Sequence, residues 1–184
     1  MKSHQNSWNI AFCGMAAAVS VAVMLLGAVF PIAMFIAPAA AGFLVSVVCT
    51  ECGRKLALTA YGAVSLLGIL FVPDKEVALS YALLLGYYPL VKPWFDRLRP
   101  AVLRWAAKIL LCNGAVAVLY GLLLIFFPAG EMEQAFQAAA LILAGFTLLL
   151  GNIAFLLYDR ALVNLLRVYC VLWQPRLHRM LGRR

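Results

Sequence analysis

The first 158 residues of this chain are a succession of six apolar runs, 11–30, 32–50, 56–72, 77–95, 106–127 and 135–158, each closed by a short charged or proline-bearing interruption. Runs of about 17 to 25 apolar residues match the roughly 30 Å hydrocarbon core of a bilayer. In hydrocarbon no water can pair with backbone amides, so each run must satisfy its own polar groups, and the helix does so. The expected fold is therefore all-α: a polytopic membrane protein with a compact six-transmembrane-helix bundle over 1–158, followed by a basic amphipathic tail over 159–184.

Composition agrees, since 66% of residues are hydrophobic and only 12% charged, with a mean hydropathy of +0.97. A soluble domain is about half apolar and a quarter charged. No stretch is polar enough for a second, soluble domain. The net charge of +8 fits loops and tails facing an anionic leaflet rather than nucleic acid, which is not expected as a partner. The run 11–30 is not read as a cleaved signal peptide, because it lacks a small-residue cleavage pattern and leads into further apolar runs.

Basic residues set the orientation. With the N-terminus inside, fourteen of the 15 lysines and arginines fall on the cytoplasmic side, and only Lys75 falls outside. The outer loops hold Asp74, Glu76, Glu131 and Glu133 instead. Both termini are expected in the cytoplasm. All five cysteines then sit on or near the reducing side as thiols.

The stretch LLLGYYPLVKPWFDRLRP, 83–100, marks a boundary. Counted from 77 to 91, the fourth helix would rise only about 22 Å, so it must continue past Pro89 or thin the bilayer. Tyr87, Tyr88 and Trp94 suit the inner interface, Pro89 predicts a kink, and Lys92 is expected to snorkel to the headgroups. Phe95, Leu98, Val102 and Trp105 form an apolar stripe beside Arg97, Arg104 and Lys108. That stripe serves either as an interfacial anchor or as a cytoplasmic docking surface. In the tail, Arg160, Asn164, Arg167 and Gln174 form a polar stripe on a helix expected to lie along the inner interface.

Little points to catalysis. The two histidines, His4 and His178, lie in the terminal segments, and no run carries Asp, Glu, Lys or Arg at its centre. CTEC, 49–52, has C-x-x-C spacing without a second pair nearby, so it reads as a helix end rather than a zinc site. Neither an enzyme, a cofactor nor a metal site is expected. Two amides stand out: Asn113 lies about 6 Å inside the apolar core of the fifth run, counted from Ile109, and Asn152 about 10 Å from Asp159, at similar depth, with Tyr88 nearer the interface. An unpaired amide in hydrocarbon costs several kcal/mol. A contact between the two, direct or through Tyr88, is expected either to join helices or to line a path. On the first helix Gly14, Ala18 and Ala22 align four residues apart, and Ala17 and Gly42 add further small surfaces. Such ridges admit close helix approach, within the bundle or against another membrane protein.

The alanine-rich first helix, the short turn into a proline-containing second helix in APAAAGFLVSVVCTECGRKLAL, and the runs GYYPLVK and LLLGNIAFLLYD together resemble the S component, the substrate-binding membrane subunit, of energy-coupling factor transporters. They are similar as well to a group of bacterial membrane proteins with S-component-like layout. The resemblance covers nearly the whole chain. It implies a bacterial plasma-membrane protein, a T component and two cytoplasmic ATP-binding subunits as partners, and a small-molecule ligand. By resemblance, the face that meets the T component falls to Gly14, Ala18 and Ala22. S components hold their ligand toward the outer face, where the candidates here are Asp74, Glu76, Ser80, Tyr81, Glu131, Gln134 and Gln137. The first outer turn is wholly apolar, so a largely apolar or weakly polar compound is expected. The alternative is a non-transporting scaffold or regulatory protein acting through its basic inner face.

Overall fold

The computed structural model describes residues 2–30, 33–97, 99–126 and 137–175. These form helices α1 (Lys2–Val29), α2 (Ile36–Cys52), α3 (Arg54–Phe71), α4 (Lys75–Ser80), α5 (Tyr88–Phe95), α6 (Ala101–Phe126) and α7 (Gln137–Val168), with π-helical turns at Tyr81–Leu85 and Tyr169–Trp173. The described residues are all-helical without strands. Among the described residues, four helical stretches are long and apolar enough to cross a membrane: Ser7–Val29, Arg54–Phe71, Val102–Leu122 and Leu148–Trp173. The protein therefore has the character of an integral membrane protein.

Three helices, α1, α2 and α3, pack against one another around Met24, Ala41, Val45, Val48, Ala60 and Val64. The α2–α3 turn is a single residue, Gly53, whose φ of +86° lies in the left-handed region where a Cβ is disfavoured. Its amide donates to the Cys49 carbonyl at 3.2 Å and ends α2. After α3 the chain reverses tightly. Lys75 Nζ donates to the carbonyls of Ile69 (2.9 Å) and Val72 (3.1 Å), satisfying carbonyls the helix end leaves unpaired, and the Asp74 carboxylate accepts from the Glu76 amide at 3.0 Å as the N-cap of α4.

The run 77–95, expected as one helix kinked at Pro89, is broken instead, and the break lies before Pro89. Proline has no amide hydrogen, so the Leu85 carbonyl has no donor four residues on. The upstream turn widens as the Gly86 amide donates to Tyr81 O at 2.8 Å. Two tyrosines from elsewhere in the fold occupy the freed carbonyls: Tyr158 Oη donates to Leu85 O at 3.0 Å and Tyr61 Oη to Ala82 O at 2.6 Å. Gly42 of α2 lies directly against the Leu85 carbonyl. The bare backbone at that position is what lets α2 meet the broken segment.

Both long C-terminal helices extend beyond the expected runs. The 32 residues of α7 rise about 48 Å, well over the thickness of the hydrocarbon core. The chain stays helical through Asp159 and on to Pro175, so no break separates 1–158 from the tail within the described residues. Of the expected polar stripe, Arg160, Asn164 and Arg167 are exposed on this continuous helix and Gln174 is half-buried, while Tyr169 Oη donates to the Glu51 carboxylate at 3.1 Å. The basic end from 176 onward lies outside the described residues.

Candidate functional site: a lateral cavity above a buried ion cluster

Between α2 with the broken α4–α5 segment on one side and α6 with α7 on the other lies a cavity of about 1050 Å³. Its walls are mainly apolar, with Ile36, Leu84, Val116, Leu119 and Phe155 among them. The residues that α6 and α7 contribute to it include small ones, which leave the space open: Ala115, Ala117, Gly151 and Ala154 all line it. Polar groups enter it at a few places: Glu76 and Tyr120 toward one end, Ser80 and Asn113 along its length, and Tyr158 toward the other. Tyr120 Oη donates to the Glu76 carboxylate at 3.3 Å. Ser80 Oγ and Tyr158 Oη are already committed to backbone carbonyls, at Val77 and Leu85.

The two amides expected at similar depth do meet: Asn152 Nδ2 donates to Asn113 Oδ1 at 2.9 Å, and to the Leu148 carbonyl at 2.8 Å. Asn152 Oδ1 is buried with no partner among the described residues. Tyr88 does not take part in that contact. It is completely buried, its ring packs edge-on to Phe155 at 4.7 Å, and its hydroxyl donates to Asp159 at 2.5 Å.

Tyr88 thereby belongs to a cluster not expected from the sequence. Lys92 of α5, Lys108 of α6 and Asp159 of α7 converge, with exposures of 8%, 4% and 5%. The Lys92 ammonium pairs with the Asp159 carboxylate and donates to its backbone carbonyl at 3.1 Å. Lys108 bridges Asp159 at 3.0 Å and the more exposed Asp96 at 2.9 Å. Lys92, expected to snorkel to headgroups, is instead held inward, and Lys108, expected on an exposed basic stripe, is buried. A charge held away from water must be paired, and the Asp159 carboxylate supplies a partner to both ammonium groups. Both lysines have apolar neighbours on each side in sequence, in PLVKPW and AAKILL, whereas Asp159 in LLYDRA is followed by Arg160. That signal, a charge flanked by apolar residues, could have revealed Lys92 and Lys108 but not Asp159. The cluster pins α5, α6 and α7 together next to the cavity, whose lining includes Tyr158 and Ala161 on either side of Asp159.

The other expected residues distribute as follows. Glu76 and Ser80 line the cavity, Asp74 caps α4 beside it, and Tyr81 lies fully buried in the main core rather than on the cavity wall. Glu131 and Gln134 lie outside the described residues, and of Gln137 only its place in the first turn of α7 is described. Gly14, Ala18 and Ala22 are all exposed on α1. A Cβ on Gly14 would meet nothing within 4 Å, because α1 turns the neighbouring face, with Ser20, Met24 and Gly27, into the bundle. Among the described residues no group of three or more His, Cys, Asp or Glu could hold a metal ion. No family model, curated protein or solved structure matches this chain.

Proposed function

We propose that this chain is the membrane-embedded binding subunit of an importer for a small, largely apolar or weakly polar compound, the role S components play in energy-coupling factor transporters. The cavity carries the reading. Ligand sites are typically concave, about 300–1,000 Å³, mainly apolar, with a few convergent polar groups; this cavity has that size and lining. Its polar groups are few and mostly engaged, which suits a compound recognised by shape and one or two hydrogen bonds. Native mass spectrometry of the full chain, extracted in mild detergent from its own host, should retain a bound small molecule. Gly151→Phe should lose it, because Gly151 lines the cavity and a Cβ there meets nothing within 4 Å, leaving the ring to occupy the void. A wild type that carries only lipid or detergent, and binds nothing that Gly151→Phe excludes, would instead favour the scaffold reading.

In this proposal α2 and the α4–α5 segment also cross the bilayer, giving six crossings in the plasma membrane of a bacterium with both termini inside. The 17 residues of α2 rise about 25 Å, which a locally thinned bilayer accommodates. Single cysteines placed at Lys75 and Arg99 should be labelled from outside and inside respectively; the reverse pattern would refute the orientation. The proposed T-component contact is the exposed ridge Gly14, Ala18 and Ala22. Ala18→Leu with Ala22→Leu should keep the fold, since leucine against lipid tails costs little, yet abolish co-purification of the T component and ATP-binding subunits. Unchanged recovery of those subunits would remove the ridge from the interface.

A further inference from the structure

Resting on the cavity reading above, we propose that the ligand is an amphiphilic cation, its positive group held at Glu76 and its apolar body lying along α6 and α7. Glu76 is the sole ionisable carboxylate among the described cavity-lining residues. Among the described residues no lysine or arginine pairs with it: the recorded ion pairs are those of Lys92 and Lys108 with Asp159 and Asp96, and the adjacent Lys75 is turned away to cap α3. Tyr120 donates one hydrogen bond to Glu76, which fixes the carboxylate but does not neutralise it. A carboxylate at the edge of an apolar, low-dielectric void favours a cation and repels an anion far more strongly than one in water.

A second contact sets the scale of the ligand. Asn113 uses its oxygen to accept from Asn152. Its own Nδ2 donates to no protein acceptor among the described residues, and an Asn amide has two N–H donors to place. Asn113 and Tyr120 lie two turns apart on α6, about 10 Å along the axis, and both line the cavity. The preferred ligand therefore carries a cationic group and a hydrogen-bond acceptor about 10 Å apart, separated by apolar surface that fills the space over Val116, Ala117 and Leu119. Lipid tails, which also enter lateral openings, have neither group within the cavity and would show no charge preference.

Three aryl-phosphorus and aryl-boron probes of similar shape and different charge test this on the full chain in neutral detergent: tetraphenylphosphonium, triphenylphosphine oxide and tetraphenylborate. Cavity binding is the part of equilibrium-dialysis binding that Gly151→Phe removes, with Ala154→Phe as a second blocking variant. Tetraphenylphosphonium should bind at least about tenfold more tightly than tetraphenylborate, because unit charges a few ångströms apart near a protein surface interact by several RT. Glu76→Gln should erase that preference and leave the neutral phosphine oxide unchanged. Asn113→Leu should weaken the phosphine oxide, which carries an acceptor, and spare the phosphonium, which carries none. If the probes bind alike, or the cation preference survives in Glu76→Gln, the cation assignment is overturned while the cavity reading stands. If no probe shows binding that the blocking variants remove, both fall.

Discussion

Asp159→Ala is expected to destabilise the folded bundle by about 3–5 kcal/mol, the cost typical of removing one partner from a buried ion pair. The substitution leaves Lys92 and Lys108 facing each other with exposures of 8% and 4%. Among the described residues the one ion pair left to them is that of Lys108 with Asp96, whose side chain is 44% exposed. It also removes the acceptor of Tyr88, a hydroxyl on a completely buried side chain. In a thermal melt in detergent the variant should unfold well below the wild type, and the contacts of α5 and α7 should loosen first. A triple replacement, Lys92→Met, Lys108→Met and Asp159→Leu, should recover most of the loss, because well-packed apolar residues often replace a buried ion cluster at no net cost. If Asp159→Ala melts with the wild type, the cluster is hydrated and does not fasten the three helices.

Gly42→Ala should be strongly destabilising for a change of a single methyl group. The new Cβ would fall onto the Leu85 carbonyl oxygen and within 2.5 Å of Tyr158 Oη. Neither can yield easily. The first is backbone beside a broken turn, and the second is held by its hydrogen bond to that same oxygen. Overpacking typically costs about 1–3 kcal/mol, and forcing Tyr158 away would add about 1–3 kcal/mol for the carbonyl left unsatisfied. Gly14→Ala is the matched control, since its Cβ meets nothing within 4 Å and Ala is the better helix former. Comparing the two melting temperatures isolates the close approach from the general effect of losing a glycine. Equal melting temperatures would mean that α2 and the Leu85 turn are farther apart than the structure places them.

The helices were legible in the sequence because each is a local matter. Apolar length, flanking charge and proline position fix where a run begins and how deep each residue lies. That is why Asn113 and Asn152, 39 positions apart, could be matched by depth before their hydrogen bond was seen. Depth alone also misled. Lys92 and Lys108 were placed by proximity to an end, and lysines near an end usually snorkel; the carboxylate that draws them inward lies 67 and 51 positions away. Likewise Pro89 correctly announced a disruption, but the proline by itself says nothing of the tyrosines that fill the vacated carbonyls.

By itself the sequence determined the all-helical character, the apolar helices long enough to cross a membrane and the approximate limits of its apolar runs, because hydrocarbon enforces backbone pairing within each run and penalises charge at its centre. Tertiary structure alone decided which helical faces meet. It turned Gly14, Ala18 and Ala22 outward, folded Lys92, Lys108 and Asp159 into one buried cluster, and left a cavity between α2 with the α4–α5 segment and α6 with α7. Helices of equal apolarity all around carry little periodic signal of which face is inside, so their rotation is settled by a few close contacts, Gly42 against Leu85 and the ions around Asp159, that exist only once the chain has folded.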